Sequence, residues 1–327
     1  SAVAASAPRA RIAGVQVLRE TDWRERERAH EARARALTAG HRERRARGEA
    51  HPVEDFLWTY YSLKPSHLHR WHPGAGILLE NAAADPGSPA RRDWRFYGAD
   101  GEGLYVDADA LLGERGTTVG YIEGLLTATA ARPARFGCFG LHEWAMVYKQ
   151  QPTQVRHQNV PLRLANEEID ADVDSHRISC THFDAYRFFT PEAAPLNAEE
   201  LTRATQVQRE QPGCLHAGMV LYKWAGKLGP LIPGDLLLDT FELARDIREV
   251  DMQASPYDVS EYVGADGAPL VPIAIEGAAG KRQYVARQRE FTRRGGELRR
   301  RIGSAIQVAR RSRRLRSAPN TTASKVC

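Results

Sequence analysis

The stretch from residue 136 to residue 216 decides how the fold and its chemistry can be interpreted. It contains the runs FGCFGLHEWAMVY (136–148), SHRISCTHFDAYRFF (175–189) and EQPGCLH (210–216). Three of the four cysteines and five of the eleven histidines fall inside it, whereas its flanks are mainly helical in pattern. Because Cys and His side chains bind metals and transfer protons, we expect the active or binding site here.

The run at 175–189 alternates in the manner of a β-strand. A period of two places His176, Cys180, His182 and Asp184 on one face. Same-face neighbours in a strand lie roughly 7 Å apart, so His182 could act together with Cys180 or Asp184 on one ion or one substrate atom. The sequence therefore predicts a strand here, with His182 and Asp184 as catalytic candidates.

Two Cys-x-His pairs lie in this stretch. A tetrahedral zinc site could take four ligands from them, although the spacing is not the usual one for structural zinc. The four residues are Cys180, His182, Cys214 and His216. Alternatively, the cysteines are small buried hydrophobes and the histidines form hydrogen bonds in a polar core. The pattern leaves both interpretations open.

The segment LHEWAMVY is apolar enough to form a buried helix, and it carries His142 and Glu143. Desolvation would raise the pKa of Glu143, which is how general acids and bases are made. Alternatively, Glu143 faces solvent or pairs with an arginine such as Arg156 or Arg177. We therefore add both residues to the catalytic candidates. Aromatic side chains near these candidates could wall a substrate pocket: Trp144, Tyr148, Phe183 and Tyr186.

The flanking patterns predict an α+β fold that is predominantly helical, with a small β-sheet carrying the central strand. Apolar residues recur at helical spacing over 107–130 and 235–252. Residues 1–20 resemble a transit remnant or a disordered leader, and 301–327 a disordered basic tail. The interval 21–300 is predicted to be one globular domain with a surface excursion near 82–103.

Charge is distributed unevenly along the chain. Residues 281–316 carry fourteen Lys and Arg against two acidic residues, although the net charge of the whole chain is +5. This tail could neutralise DNA phosphates, or it could be a solvated helix face. Apolar runs are too short to span a membrane, and the cysteines form no disulfide framework. We expect an intracellular protein, cytoplasmic or, if the leader is a transit remnant, organellar.

The chain resembles an actinobacterial family catalogued as 3-methyladenine DNA glycosylases. The resemblance covers roughly residues 21–300 and rests on the runs above together with TRATQVQREQPGCLHAGMVLYKWAGKLGPLIP (202–233) and ARDIREVDMQASPYD (244–258). The helix-hairpin-helix motif of characterised glycosylases is not matched, because LGPLIPGD (228–235) lacks its second glycine. No catalytic Asp can therefore be transferred by motif.

Three functions follow as hypotheses. The resemblance implies a base-excision hydrolase that cleaves an alkylated purine from DNA, with Asp184 or Glu143 positioning water. The residues also suit a small-molecule enzyme, which could use zinc and has no DNA substrate. In the third hypothesis the protein only binds a partner, and the histidines are buried and inert.

Overall fold

Three long helices form the centre of the fold. The computed structural model describes residues 15–61, 63–84, 89–151, 153–157 and 159–317. Helices α10 (Leu215–Leu228), α11 (Gly234–Gln253) and α12 (Ala278–Ser317) pack against one another, and α5 (Ala108–Ala130) packs on α12. The remaining helices are α1 (Glu20–Ala46), α2 (Asp55–Tyr60), α3 (Pro65–His69), α4 (Pro89–Asp93), α6 (Leu141–Ala145), α7 (Asn166–Ser175), α8 (Phe183–Tyr186) and α9 (Gln206–Arg209).

Helices α10 and α11 bury all of their apolar side chains. Residues 215–222 of α10 are buried without interruption, so this helix forms the middle of the core. Helix α11 packs closely on it at Gly218, where an added Cβ would lie 2.8 Å from Ile247 Cδ1. The predicted apolar stripes of α5 and α11 are confirmed, because periodicity over twenty residues leaves only one face for the core.

A four-stranded mixed sheet lies at one side of this core. Its strands are β1 (Gln16–Leu18), β2 (Ile77–Leu79), β3 (Tyr97–Asp100) and β4 (Gly103–Val106), in the order β1-β2-β4-β3. Strand β1 runs parallel to β2, and β4 pairs antiparallel with both β2 and β3. The predicted class, α+β and predominantly helical with a small sheet, is confirmed.

The predicted central strand at 175–189 is wrong. Ile178 forms an isolated bridge to Asn197, and the chain then enters the short helix α8. His182 caps this helix, because its Nδ1 accepts a hydrogen bond from the Asp184 backbone N–H at 3.2 Å. This local bond makes a turn out of an alternating sequence that is also compatible with a strand.

Both predicted termini need correction. Residues 16–18, which the sequence assigns to a leader, form a strand of the sheet, while residues 1–14 lie outside the described residues. Helix α12 continues to Ser317, although disorder was predicted from residue 301; residues 318–327 lie outside the described part. Ile302, Ile306 and Ala309 are fully buried, so apolar spacing extends the helix through the basic run.

The predicted surface excursion at 82–103 contains α4 and most of the β3–β4 hairpin. Arg91 of α4 is only 2% exposed, and its guanidinium lies 5.3 to 5.4 Å from the ring centroids of Trp23, Trp71 and Trp94. This segment is therefore anchored to the body by a buried cation. None of the helices in the described part of the chain combines the length and the hydropathy that a membrane span requires.

Candidate metal centre

Helix α6 carries His142 and Glu143 into the protein interior. Gly140 precedes it with φ of +77°, in the left-handed region that favours glycine, and an added Cβ would meet Tyr284 at 3.2 Å. All five residues of α6 are buried, including both polar side chains. The predicted helix is shorter than the apolar run suggested, but its burial is confirmed.

His142 meets two residues from the long helices. Its Nε2 lies 2.7 Å from Oδ1 of Asp251, which belongs to the last turn of α11. His216, in the first turn of α10, places its ring 4.7 Å from the His142 ring centroid at an interplanar angle of 84°. Within the described residues, these three form the one group of three or more His, Cys, Asp or Glu whose ligand atoms all lie within 4.8 Å of one another.

Two atoms of this group have no hydrogen-bond partner in the part of the chain that the structure describes. They are Oδ2 of Asp251 and Nδ1 of His216, and both are buried. Buried polar atoms are almost always hydrogen-bonded, so an unsatisfied oxygen and an unsatisfied nitrogen in one cluster require an explanation. A bound cation would satisfy both.

The electrostatics distinguish the two histidines. Burial alone would lower the pKa of His142, but the Asp251 carboxylate outweighs burial and holds that pKa well above its ordinary value. Burial, together with the charge of His142, holds the pKa of His216 well below its ordinary value. His216 is therefore a neutral imidazole with a lone pair, and metal binding would displace the proton from His142.

Glu143 pairs with an arginine, although not with either of the two that the sequence suggested. Arg248 of α11 donates from Nη1 to Glu143 Oε1 at 3.1 Å, and the same nitrogen lies 3.6 Å from Asp251 Oδ2. Burial would raise the pKa of Glu143, but the charges of Arg248, His142 and Arg156 together outweigh burial, so that pKa is lowered. The expectation of a raised pKa is therefore wrong, and Glu143 is a carboxylate.

A second His–carboxylate pair lies on the other side of His216. His182 Nε2 is 3.1 Å from Glu210 Oε2, and the rings of His182 and His216 are 5.5 Å apart between centroids. Glu210 also accepts hydrogen bonds from Thr129 at 3.3 Å and from Gln206 at 3.1 Å. Both oxygens of Glu210 thus have donors within the protein.

Asp184 lies near this region but is engaged elsewhere. Its Oδ2 accepts a hydrogen bond from Lys223 Nζ at 2.9 Å. Burial would raise the pKa of Asp184, but His182 and Lys223 together outweigh burial and lower it. Asp184 is therefore a paired carboxylate and not a protonated acid.

The predicted Cys2His2 set is not brought together as a ligand group. Cys180 Sγ lies 3.6 Å from the backbone oxygen of His182, and burial raises the pKa of the Cys180 thiol. Burial likewise raises the pKa of Cys214 to about 12, so both side chains are neutral thiols. Of the four predicted ligands, His216 alone belongs to the observed group of three.

The predicted aromatic walls have separate positions. Trp144 is buried and donates from Nε1 to the Ala254 carbonyl at 2.9 Å, while Tyr148 donates to Asp174 at 2.6 Å. Phe183 and Tyr186 are half-buried on α8. The four rings are thus held by different parts of the core.

Sequence reasoning missed Asp251 and Arg248. Both occur in the run ARDIREVDMQASPYD, and both fall in phase with the apolar stripe of α11 through Ala244 and Ile247. A charged residue on the buried face of a helix must have a partner inside the protein. That signal was available and would have identified them.

Comparison with protein-family models, with curated proteins and with solved structures found no match to this chain. The resemblance to 3-methyladenine DNA glycosylases therefore stays a prediction, and the candidate site is interpreted from its own geometry.

Proposed function

We propose that this protein is a metal-dependent enzyme acting on a small molecule, with one divalent ion held by His142, His216 and Asp251. The observation that carries the proposal is the approach of these three ligand side chains to within 4.8 Å, with unsatisfied atoms on two of them. Zinc and iron(II) both suit two imidazoles and one carboxylate.

The number of ligands favours catalysis over a structural role. Structural zinc sites are usually closed by four protein ligands, whereas catalytic sites use three and leave a position for water or substrate. A metal ion held here would supply a Lewis acid and lower the pKa of a bound water. Glu143, adjacent to the ligand His142 and held by Arg248, is the residue we assign as general base.

The base-excision hypothesis stays a prediction with less support from the geometry. Of its two candidates for positioning water, Asp184 is held in an ion pair with a lysine, whereas Glu143 is equally compatible with the metal-dependent proposal. The basic helix α12 also uses part of its charge internally, because Arg301 pairs with Asp235 and Asp239. These ion pairs reduce the positive charge that α12 could use to neutralise DNA phosphates.

Metal content after reconstitution tests the proposal. The protein would be stripped with a chelator, incubated anaerobically with zinc or iron(II), desalted and measured by mass spectrometry of the metal. We expect about one ion per chain for the native protein and less than about a tenth for Asp251→Asn. His182→Gln is the matched control, because it removes a buried histidine outside the group of three and should retain the ion.

Absence of bound metal in the native protein would contradict the proposal. Catalysis is tested separately with chromogenic carboxylic and phosphate esters. We expect hydrolysis of at least one ester class by the loaded protein and none by the stripped protein. Equal rates for the two preparations would contradict the enzymatic part of the proposal.

A further inference from the structure

A cavity of about 250 Å³ extends from the surface of α1 to Arg248. Its charged lining consists of Arg44, Arg245 and Arg248 and of the acidic residues Glu54 and Glu249. We propose that this cavity binds a small oxyanion, a carboxylate or phosphate group, beside the metal centre. The inference deepens the proposed function, because it names the substrate class, and it rests on that function only for the link to the metal.

Unsatisfied donors in the cavity wall are the first observation. Arg44, Arg245 and Arg248 each have a buried Nε–H group with no acceptor among the described residues. Three arginines with the same unmet Nε–H group line one small cavity, although only Arg248 is buried as a whole side chain. Leaving a buried donor without an acceptor is costly, and charged donors cost the most.

The three arginines already have partners for some of their terminal nitrogen atoms but not for their Nε–H groups. Arg44 uses its Nη2 on Glu54, and Arg245 uses its Nη2 on Asp246 at 3.3 Å. Arg248 uses Nη1 on Glu143, and its Nη2 lies 3.4 Å from Nε2 of His157. Each guanidinium therefore has at least one terminal nitrogen engaged, whereas its Nε–H has no acceptor among the described residues. A charged N–H donor of this kind suits an oxygen of a carboxylate or a phosphate.

The cavity lies next to the candidate metal centre, because Arg248 belongs to the surroundings of both. Arg248 lines the cavity, and its Nη1 lies 3.6 Å from Oδ2 of the proposed ligand Asp251. The same side chain stacks on the Phe56 ring, with the guanidinium carbon 4.1 Å from the ring centroid. An oxyanion bound to Arg248 would thus be one side chain away from the metal. The substrate we infer is a small anionic molecule that enters past Ala36.

Calorimetric titration of metal-free protein with malonate and with inorganic phosphate tests the anion site. Ala36→Trp places an indole in the cavity from an exposed position of α1. Ala32→Trp is the matched control, since it is exposed one turn earlier and is not part of the lining. We expect the native protein and Ala32→Trp to bind equally, and Ala36→Trp to bind about tenfold more weakly or worse. Circular dichroism would verify that both variants fold.

The outcomes identify the chemical class of the anion, and they distinguish failure of the anion site from failure of the proposed metal-dependent function. Heat of binding with malonate and not with phosphate would identify the bound group as a carboxylate. Heat of binding with phosphate and not with malonate would identify it as a phosphoryl group. No binding of either, or equal affinity in all three proteins, would overturn the inference. In cobalt-loaded protein, malonate or phosphate should change the visible absorption spectrum, and an unchanged spectrum despite binding would overturn the link to the metal. Failure to load cobalt would contradict the proposed function and leave the calorimetric test intact.

Discussion

Two buried His–carboxylate pairs flank His216, and they differ in one respect that decides their roles. His142 lies 2.7 Å from Asp251, and His182 lies 3.1 Å from Glu210. All four side chains are at most 2% exposed. Residue type and burial therefore do not distinguish the pairs.

Hydrogen-bond satisfaction does distinguish them. Both oxygens of Glu210 accept hydrogen bonds, from Thr129 and Gln206, in addition to the contact with His182. Asp251 keeps one oxygen without a hydrogen-bond partner in the described residues, next to an imidazole nitrogen of His216 in the same condition. His182 Nε2 also lacks a hydrogen bond of standard geometry among the described residues, so the difference lies in the two carboxylates. We infer that Glu210 is closed by its protein donors and that Asp251 is the start of a coordination site.

Removing the Asp251 carboxylate should cause the largest loss in the free energy of unfolding. Asp251→Asn leaves a charged His142 in the core without its counter-ion and removes one of the two carboxylates near Arg248, so we expect a loss of about 3–5 kcal/mol in the free energy of unfolding. Urea unfolding of metal-free protein measures this loss. A loss below about 1 kcal/mol would contradict the ionic pairing we assign.

Glu210→Gln should lower the free energy of unfolding without reducing the metal content of the protein. The amide keeps the shape of the side chain but replaces one of the two oxygens that accept from Thr129 and Gln206 by a donor, so we expect a loss of about 1–3 kcal/mol. Metal content should remain at the native level, as measured by mass spectrometry. If Glu210→Gln lost metal as completely as Asp251→Asn, the two pairs would not differ as we infer.

Asp184 offers a pH test of a third buried carboxylate. Its pKa is lowered below the ordinary value of 3.8, so its ionised form stabilises the fold above that value, and this contribution disappears as pH falls through the lower folded-state pKa. Asp184→Asn should therefore cost about 2 kcal/mol near neutral pH and progressively less below about pH 4. Urea unfolding across this range measures the change. A cost that grows on acidification would contradict the assignment of Asp184 as a paired carboxylate.

The smallest effect is expected at an exposed pair. Arg310 of α12 bonds Glu123 of α5 at 2.6 Å, but these side chains are 36% and 25% exposed. Arg310→Gln should cost less than about 1 kcal/mol, and the cost should shrink in high salt. Thermal unfolding at low and high ionic strength measures it. A cost comparable with that of Asp251→Asn would mean that burial is not what separates these pairs.

Helical periodicity made much of the fold predictable. The stripes of α5 and α11 repeat over twenty residues, so chance alternation cannot imitate them. The predicted strand around His182 failed because fifteen alternating residues fit a loop as well as a strand, and a local cap decided between them. The prediction of a disordered tail from residue 301 failed because the basic charge of this segment was given more weight than the apolar spacing of Ile302 and Ile306, which are buried.

The candidate site was predictable only in part. His142 and His216 were both named from the sequence, His142 because it lies in an apolar run and His216 because of its Cys-x-His spacing. Asp251 follows His142 by 109 residues, and nothing local in either segment indicates the other. Cys180 and Cys214 share a spacing with their histidines, but among the described residues they do not join the group of three ligand side chains. Convergence of distant segments is a property of packing and not of spacing.

Anomalous diffraction from a zinc-soaked crystal tests the central claim most directly. Data collected on the two sides of the zinc absorption edge would locate the ion independently of any activity. The account predicts one strong peak bounded by His142, His216 and Asp251, with zinc–nitrogen and zinc–oxygen distances of about 2.0–2.2 Å. A fully occupied zinc peak elsewhere, or no peak between these three side chains, would contradict it.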